Sequence, residues 1–207
     1  QRAVTRWGGA SADDDLAQQL VALVCSLRGS VCLYQGEELG LGEAEIPYEA
    51  IRDPYGLTFW PTFKGRDGCR TPMPWDGGPL AGFTTGTPWL PITAQHRARS
   101  VATQESDPAS TLNAVRRFLH WRALQPALSQ GDIRFLDTPE PILAFVRECD
   151  GARLLASFNL SAADSAWSLP DAVKIAGLVD VPGVHNGRLD AGQARLPAHG
   201  VLFAMLD

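Results

Sequence analysis

Between Gly36 and Asp107 runs a 72-residue stretch that separates two clear helical patterns, and it constrains the fold more than any other feature. Connections between a strand and a helix usually take two to six residues. This one holds 10 Gly and 8 Pro, a share about twice that of an average protein. It also carries eight of the chain's 17 aromatic residues: Tyr48, Tyr55, Phe59, Trp60, Phe63, Trp75, Phe83 and Trp89. A segment so long is either disordered or an ordered functional lid. The aromatic load predicts order, with most of the rings forming the segment's own small core.

The flanking patterns set the fold class. A helix is predicted over about 13–28, with Ser11 as its cap and Asp13, Asp14 and Asp15 at its positive end. Leu16, Leu20, Leu23, Val24 and Leu27 form its apolar stripe, and Arg28 and Gly29 close it. The apolar run Val31-Cys32-Leu33-Tyr34 shows no alternation, which predicts a strand covered on both faces. A second helix is predicted over about 108–124, with Asp107 as cap, Pro108 at its first position and Leu112, Val115, Phe118 and Leu119 on its buried face. Pro126 ends it. Helix, strand, long connection and helix fit the last turns of an α/β barrel. Beyond Pro126 the pattern changes to short β segments at Asp132–Leu136, Ile142–Glu148, Arg153–Leu160 and Gly200–Leu206. Turn signals at Asp150-Gly151 and Asn186-Gly187 punctuate them, which predicts a small antiparallel β-sandwich. The expected architecture is therefore α/β plus all-β: the C-terminal part of a (β/α)8 barrel over 1–125, with its long loop at 36–107, then an antiparallel β-sandwich domain over 126–207.

Charge and composition exclude several function classes. A net charge of -5 with scattered Arg and only two Lys, Lys64 and Lys174, argues against a nucleic-acid partner. No run of 18 apolar residues is present, so no membrane span is expected. Cys25, Cys32, Cys69 and Cys149 lack CxxC spacing and the four His make no close pair, so neither a zinc site nor a disulfide framework is expected. Unpaired cysteines make the reducing cytoplasm the default compartment. Cys25 and Cys32 read as small buried hydrophobes. The chain begins at Gln1, and its only methionines are Met73 and Met205, so it reads as a processed protein or a piece of a longer one.

Four motifs carry a family resemblance. Tyr34-Gln35-Gly36-Glu37-Glu38-Leu39-Gly40 resembles the end of the eighth barrel strand in the α-amylase superfamily of glycoside hydrolases. Gly65-Arg66-Asp67-Gly68-Cys69-Arg70-Thr71-Pro72-Met73-Pro74-Trp75 is similar to a loop of its α-glucosidase and oligo-1,6-glucosidase branch. Asp107-Pro108 through Pro126-Ala127-Leu128 resembles the eighth helix and its exit, and Val4-Thr5-Arg6-Trp7-Gly8-Gly9 resembles the segment just after the seventh-strand Asn-His-Asp motif. The resemblance implies retaining hydrolysis of α-glucosidic bonds, or glucosyl transfer, on an oligosaccharide substrate. It implies no cofactor; some relatives bind calcium, but no carboxylate cage for it is visible. The resemblance places the family's nucleophile Asp, acid/base Glu and third essential Asp before residue 1. No position here matches them, so the chain by itself is expected to be inactive.

Within this frame Arg66 is the foremost substrate-binding candidate. The resemblance implies that the first Arg of the 65–75 segment helps hold the nonreducing glucose through a carboxylate partner from elsewhere in the barrel, and a planar guanidinium offers fixed donors to both a carboxylate and sugar hydroxyls. The competing role is a loop-bracing pair with a neighbour such as Asp67, and Arg70 fits that role better. Phe59, Trp60 and Phe63 are candidates for pocket walls on which sugar rings stack. Glu37 and Glu38, as adjacent strand-end residues, point to opposite faces and cannot serve as an acid and nucleophile pair. Glu37 is the one expected at the pocket mouth. Asp13, Asp14 and Asp15 are helix-end charges, and His120 and Trp121 are packing residues. No catalytic residue and no metal ligand is assigned. Two rival readings remain: a non-catalytic α-amylase-like protein of the transporter-associated heavy-chain type, and a stand-alone sugar-binding β-sandwich. An unpaired strand at 31–34 also implies self-association of the isolated chain.

Overall fold

The computed structural model describes residues 1–9 and 12–207. Its helices are α1 (Ala3–Gly8), α2 (Asp14–Ser26), α3 (Pro54–Phe59), α4 (Ala94–Ala98), α5 (Val101–Glu105), α6 (Thr111–Ala123) and α7 (Pro126–Ser129). Its strands follow as β1 (Asp132–Phe135), β2 (Ile142–Cys149), β3 (Ala152–Asn159), β4 (Ser165–Ser168), β5 (Ile175–Val179), β6 (Arg188–Asp190), β7 (Gln193–Leu196) and β8 (Val201–Leu206). The chain divides into two compact units: residues 1–17 with 33–113, and residues 18–32 with 114–207.

Both long helices form where the apolar periodicity puts them, with ends set by local chemistry. The expected cap of α2, Ser11, lies outside the described residues; Asp13 Oδ1 accepts the Leu16 N–H at 2.8 Å and fills that role. Leu16, Ala17, Val21, Ala22 and Cys25 are buried, whereas Val24, expected on the stripe, is exposed. Helix α6 starts at Thr111, three residues later than expected. Ser110, not Asp107, lies before its first turn and accepts the Asn113 N–H at 3.3 Å, while Asp107 accepts the Ala109 N–H of the preceding turn. Leu112, Val115 and Phe118 are buried as expected, and Pro126 opens α7 after α6 has ended.

The first unit is ordered throughout the 36–107 stretch, as the aromatic load predicts, but its core is aliphatic. Leu39, Leu41, Met73 and Leu112 form one buried cluster, and Ala44, Ile46, Ile51 and Leu90 another. All eight aromatics of the stretch are exposed, from Trp60 at 37% to Tyr55 at 63%, so the expected aromatic core is absent. Short aliphatic side chains pack between closely spaced irregular segments, and the larger rings are left on the outside. Residues 31–34 form no strand: they have no ladder partner, Cys32 and Tyr34 are exposed, and Val31 and Leu33 are half-buried. A continuous apolar run becomes a buried strand only between two neighbouring strands, and none flank it among the described residues. Cys25 is buried as expected; Cys32 is not.

In the second unit, one sheet runs β1-β2-β3-β8-β5 and the other β4-β7-β6, with every pairing between named strands antiparallel. One apolar cluster draws Ile142, Ala144, Val146, Leu155, Leu202, Ala204 and Leu206 from the first sheet and Trp167, Ala194 and Leu196 from the second. Along β2, β3 and β8 both faces are buried. The other face of the first sheet carries Phe145, Phe158 and Phe203, which pack in a row, and Phe118 and Trp121 of α6 pack on Phe203 at ring distances of 6.5 and 5.2 Å. Trp121 thus packs as expected, whereas His120 is exposed. The C-terminus of α2 is closed by arginines: Arg122 Nε donates to Cys25 O at 2.5 Å, and the fully buried Arg147 donates to Ser26 O at 2.5 Å.

Candidate functional site

The 65–75 segment is built around two buried carboxylates. Asp53 caps α3, accepting the Tyr55 N–H on Oδ1 at 3.0 Å, with Pro54 at the first helical position. Its other oxygen, Oδ2, accepts the Arg66 N–H at 3.0 Å and lies 3.5 Å from Arg66 Nε and 3.4 Å from Arg70 Nη1. Asp67 Oδ2 accepts the N–H groups of Arg52 at 2.6 Å and Asp53 at 2.8 Å, and its Oδ1 lies 3.6 Å from Arg70 Nη1. Gly65 makes the approach possible. Its φ is +75°, and a Cβ there would sit 2.7 Å from Asp53 Cβ. Burial works to raise the Asp53 carboxyl, but the N–H groups of Arg66, Tyr55 and Gly56 and the Arg66 guanidinium outweigh it and hold the group below the ordinary carboxylate range.

Beside this network opens a cleft of about 590 Å³, of the size that takes small molecules. Thr5 and Arg6 of α1, Glu43–Ile46 and Pro61–Gly65 are among the residues forming its walls. The Arg2 N–H donates to Glu43 Oε2 at 2.8 Å and the Glu43 N–H donates to Thr5 Oγ1 at 2.7 Å, so α1 and the 43–46 wall fix each other. Lys64 Nζ meets Glu45 Oε2 at 2.5 Å across the walls and lies 5.8 Å from the Trp60 ring centre. Beneath, the buried Arg2 guanidinium donates to Gln35 O at 2.7 Å and Cys69 O at 3.2 Å, tying three distant segments together. Burial pushes the Arg2 guanidinium below its usual range against the pull of Cys69, Tyr34, Glu43 and Glu37. His96 is buried between Thr71 Oγ1 at 3.2 Å and Gly42 O at 2.9 Å; burial and the Arg2 charge push its imidazole down, against the Gly42 hydrogen bond.

Of the five candidate binding residues, Phe63 lines the cleft. Phe59 and Trp60 stand outside it, stacked with Tyr55 and tilted on Tyr48 at 6.3 and 5.5 Å. Arg66 follows the cleft residue Gly65 and pairs with Asp53, not with Asp67; Arg70 braces both carboxylates. Glu37 and Glu38 lie in a 3₁₀ turn, not at a strand end, and accept the N–H groups of Tyr34 and Gly36 at 3.2 and 2.8 Å. Sequence reasoning missed Asp53, Arg2 and His96. For Asp53 the Asp-Pro start of a helix was a signal; Arg2 and His96 had none. Among the described residues, no group of three or more His, Cys, Asp or Glu gathers to hold a metal ion.

The chain belongs to the α-amylase family: residues 1–131 match the family described as "Alpha amylase, catalytic domain". A probable α-glucosidase of Rhizobium meliloti (strain 1021) is 47% identical over 206 residues, covering 99% of this chain and 37% of that protein. An oligo-1,6-glucosidase of Heyndrickxia coagulans is 30% identical over 190 residues, covering 82% of this chain and 34% of that protein. The crystal structure of the α-glucosyl transfer enzyme XgtA superposes with a TM-score of 0.96 at 58% identity, over 100% of this chain and 38% of XgtA. Trehalulose synthase MutB from Pseudomonas mesoacidophila MX-45 superposes with a TM-score of 0.84 at 26% identity, over 100% and 41%. The chain thus spans little more than a third of the curated relatives it matches.

Proposed function

We propose that this chain is the C-terminal portion of a retaining α-glucosidase that releases terminal α-linked glucose from small oligosaccharides. In this reading residues 1–125 supply the last part of a (β/α)8 barrel with its long loop, and 126–207 form a β-sandwich domain. The observation that carries it is the Arg66–Asp53 pair, an exposed guanidinium held on a buried carboxylate in the segment most like the α-glucosidase branch, next in sequence to the cleft residue Gly65. Retention requires a nucleophilic carboxylate that attacks the anomeric carbon while a second carboxyl protonates the departing oxygen, with water then cleaving the glucosyl-enzyme. This chain contributes binding and orientation: Arg66 holds the glucose, Phe63 offers a flat face, and the Arg2 and Asp67 networks keep the walls in place. The test is an aryl α-glucoside assay. The longer enzyme turns it over and the 207-residue chain alone stays at background; turnover by the chain alone contradicts the reading.

A second reading, glucosyl transfer to a sugar acceptor, is favoured by the likeness to XgtA, whose name is that of an α-glucosyl transfer enzyme. Product analysis at high maltose separates the two, since transfer yields trisaccharide and hydrolysis yields glucose alone.

A further inference from the structure

We propose that Asp53 is a positioning residue that holds Arg66 in the orientation needed to grip the sugar; the inference rests on the reading of Arg66 as a substrate contact. Exposed ion pairs ordinarily fix little, because two mobile side chains lose entropy for a weak attraction. This pair differs at one end. The Asp53 side chain is 2% exposed, anchored through Oδ1 to the first turn of α3 and packed under Gly65, while that of Arg66 is 62% exposed. The anchored carboxylate takes Arg66 at two points, the backbone N–H at 3.0 Å and Nε at 3.5 Å. The nearest approach to Asp53 is through Nε, which leaves the two terminal nitrogens of the exposed side chain as donors to a substrate. A fork of parallel donors suits adjacent hydroxyl oxygens of a glucosyl ring. Arg70 shares Asp53 Oδ2 and also lies within 3.6 Å of Asp67 Oδ1, so it braces both carboxylates. Without Asp53 the Arg66 stem samples several rotamers, and binding must select one of them.

The test is a set of variants in the longer enzyme, with an aryl α-glucoside as probe. Asp53→Asn keeps the size and one acceptor but removes the charge; KM is expected to rise several-fold to about tenfold, the scale of ordering one rotamer-rich side chain, with kcat changed far less. Arg66→Ala is expected to raise KM at least as much, and Asp53→Asn added to it changes nothing further. In the 207-residue chain, the Arg66 Nε chemical shift is expected to differ between the wild type and Asp53→Asn, which removes the neighbouring charge. Arg66→Lys keeps the charge without the Nε grip or the fork, and KM is expected to rise as in Arg66→Ala; this variant serves even where Asp53→Asn fails to fold. Arg66→Ala without effect on KM overturns the sugar contact itself. A raised KM in Arg66→Ala with Asp53→Asn at the wild-type value, or Arg66→Lys at the wild-type value, overturns the positioning role alone.

Discussion

Arg147 offers the sharpest test of what holds the β-rich unit together. Its side chain is fully buried and donates to three backbone carbonyls: Ser26 O at 2.5 Å, Gly131 O at 2.8 Å and Asp132 O at 3.1 Å. Burial, with Arg122 and Arg28 acting in the same direction and Asp132 opposing, pushes the guanidinium below its usual range. Arg147→Met keeps a long flexible side chain in the space, so the change isolates the polar terms. Three charge-assisted hydrogen bonds contribute about 5–9 kcal/mol taken singly and summed. Removing the buried charge returns several kcal/mol of desolvation, which leaves a net loss of about 3 kcal/mol. For a chain of this size that lowers Tm by roughly 6–12 °C. Arg147→Lys, a point charge without the fork, recovers only part of the loss. Urea unfolding, followed by hydrogen exchange at β2 and β3 amides, reads the effect within the unit concerned. Arg147→Met within about 0.5 kcal/mol of the wild type would refute the reasoning, because the bonds would then do no more than offset their own desolvation.

Other perturbations read other parts of the account. Gly183 has φ +81°, and a Cβ there would lie 2.0 Å from Ala114 O, so Gly183→Ala is expected to cost about 2 kcal/mol or more in chemical denaturation. Phe118→Ala empties a fully buried site against Phe203 and Trp121, with an expected loss of about 3–5 kcal/mol in the same assay. The depressed His96 imidazole means the unfolded chain binds its proton first; stability is therefore flat above about pH 6.5 and falls as pH drops below it, and unfolding at pH 5 and 7.5 in the wild type and His96→Gln measures the difference. Phe63→Ala in the longer enzyme is expected to raise KM for maltose several-fold, within the 1–3 kcal/mol a lost apolar contact removes, as initial rates show.

Most of the secondary structure was legible in the sequence, because α2, α6, β2, β3 and β8 each bury a face that shows as periodicity or as a run between turn signals. The 31–34 segment was misread, since an apolar run records burial potential but not whether neighbouring strands exist to realise it. The eight aromatics of the long stretch were misplaced for a related reason: composition predicted order correctly, but close irregular packing selects Leu, Ile, Met and Ala for the interior. At the site, Arg66 and Arg70 stood out by motif. Their shared partner Asp53 lies 13 residues before Arg66 and was visible only as a helix cap, because the Gly65 conformation that brings it there leaves no mark beyond a single Gly. Arg2, His96 and Arg147 left no local signature, as their partners are backbone carbonyls or side chains far along the chain.

The central claim, a segment of a retaining α-glucosidase, is tested most directly by the anomer released first. Proton NMR during hydrolysis of an aryl α-glucoside by the longer enzyme should show α-glucose appearing before mutarotation, with the 207-residue chain alone at background. First release of β-glucose, or turnover by the chain alone, contradicts it.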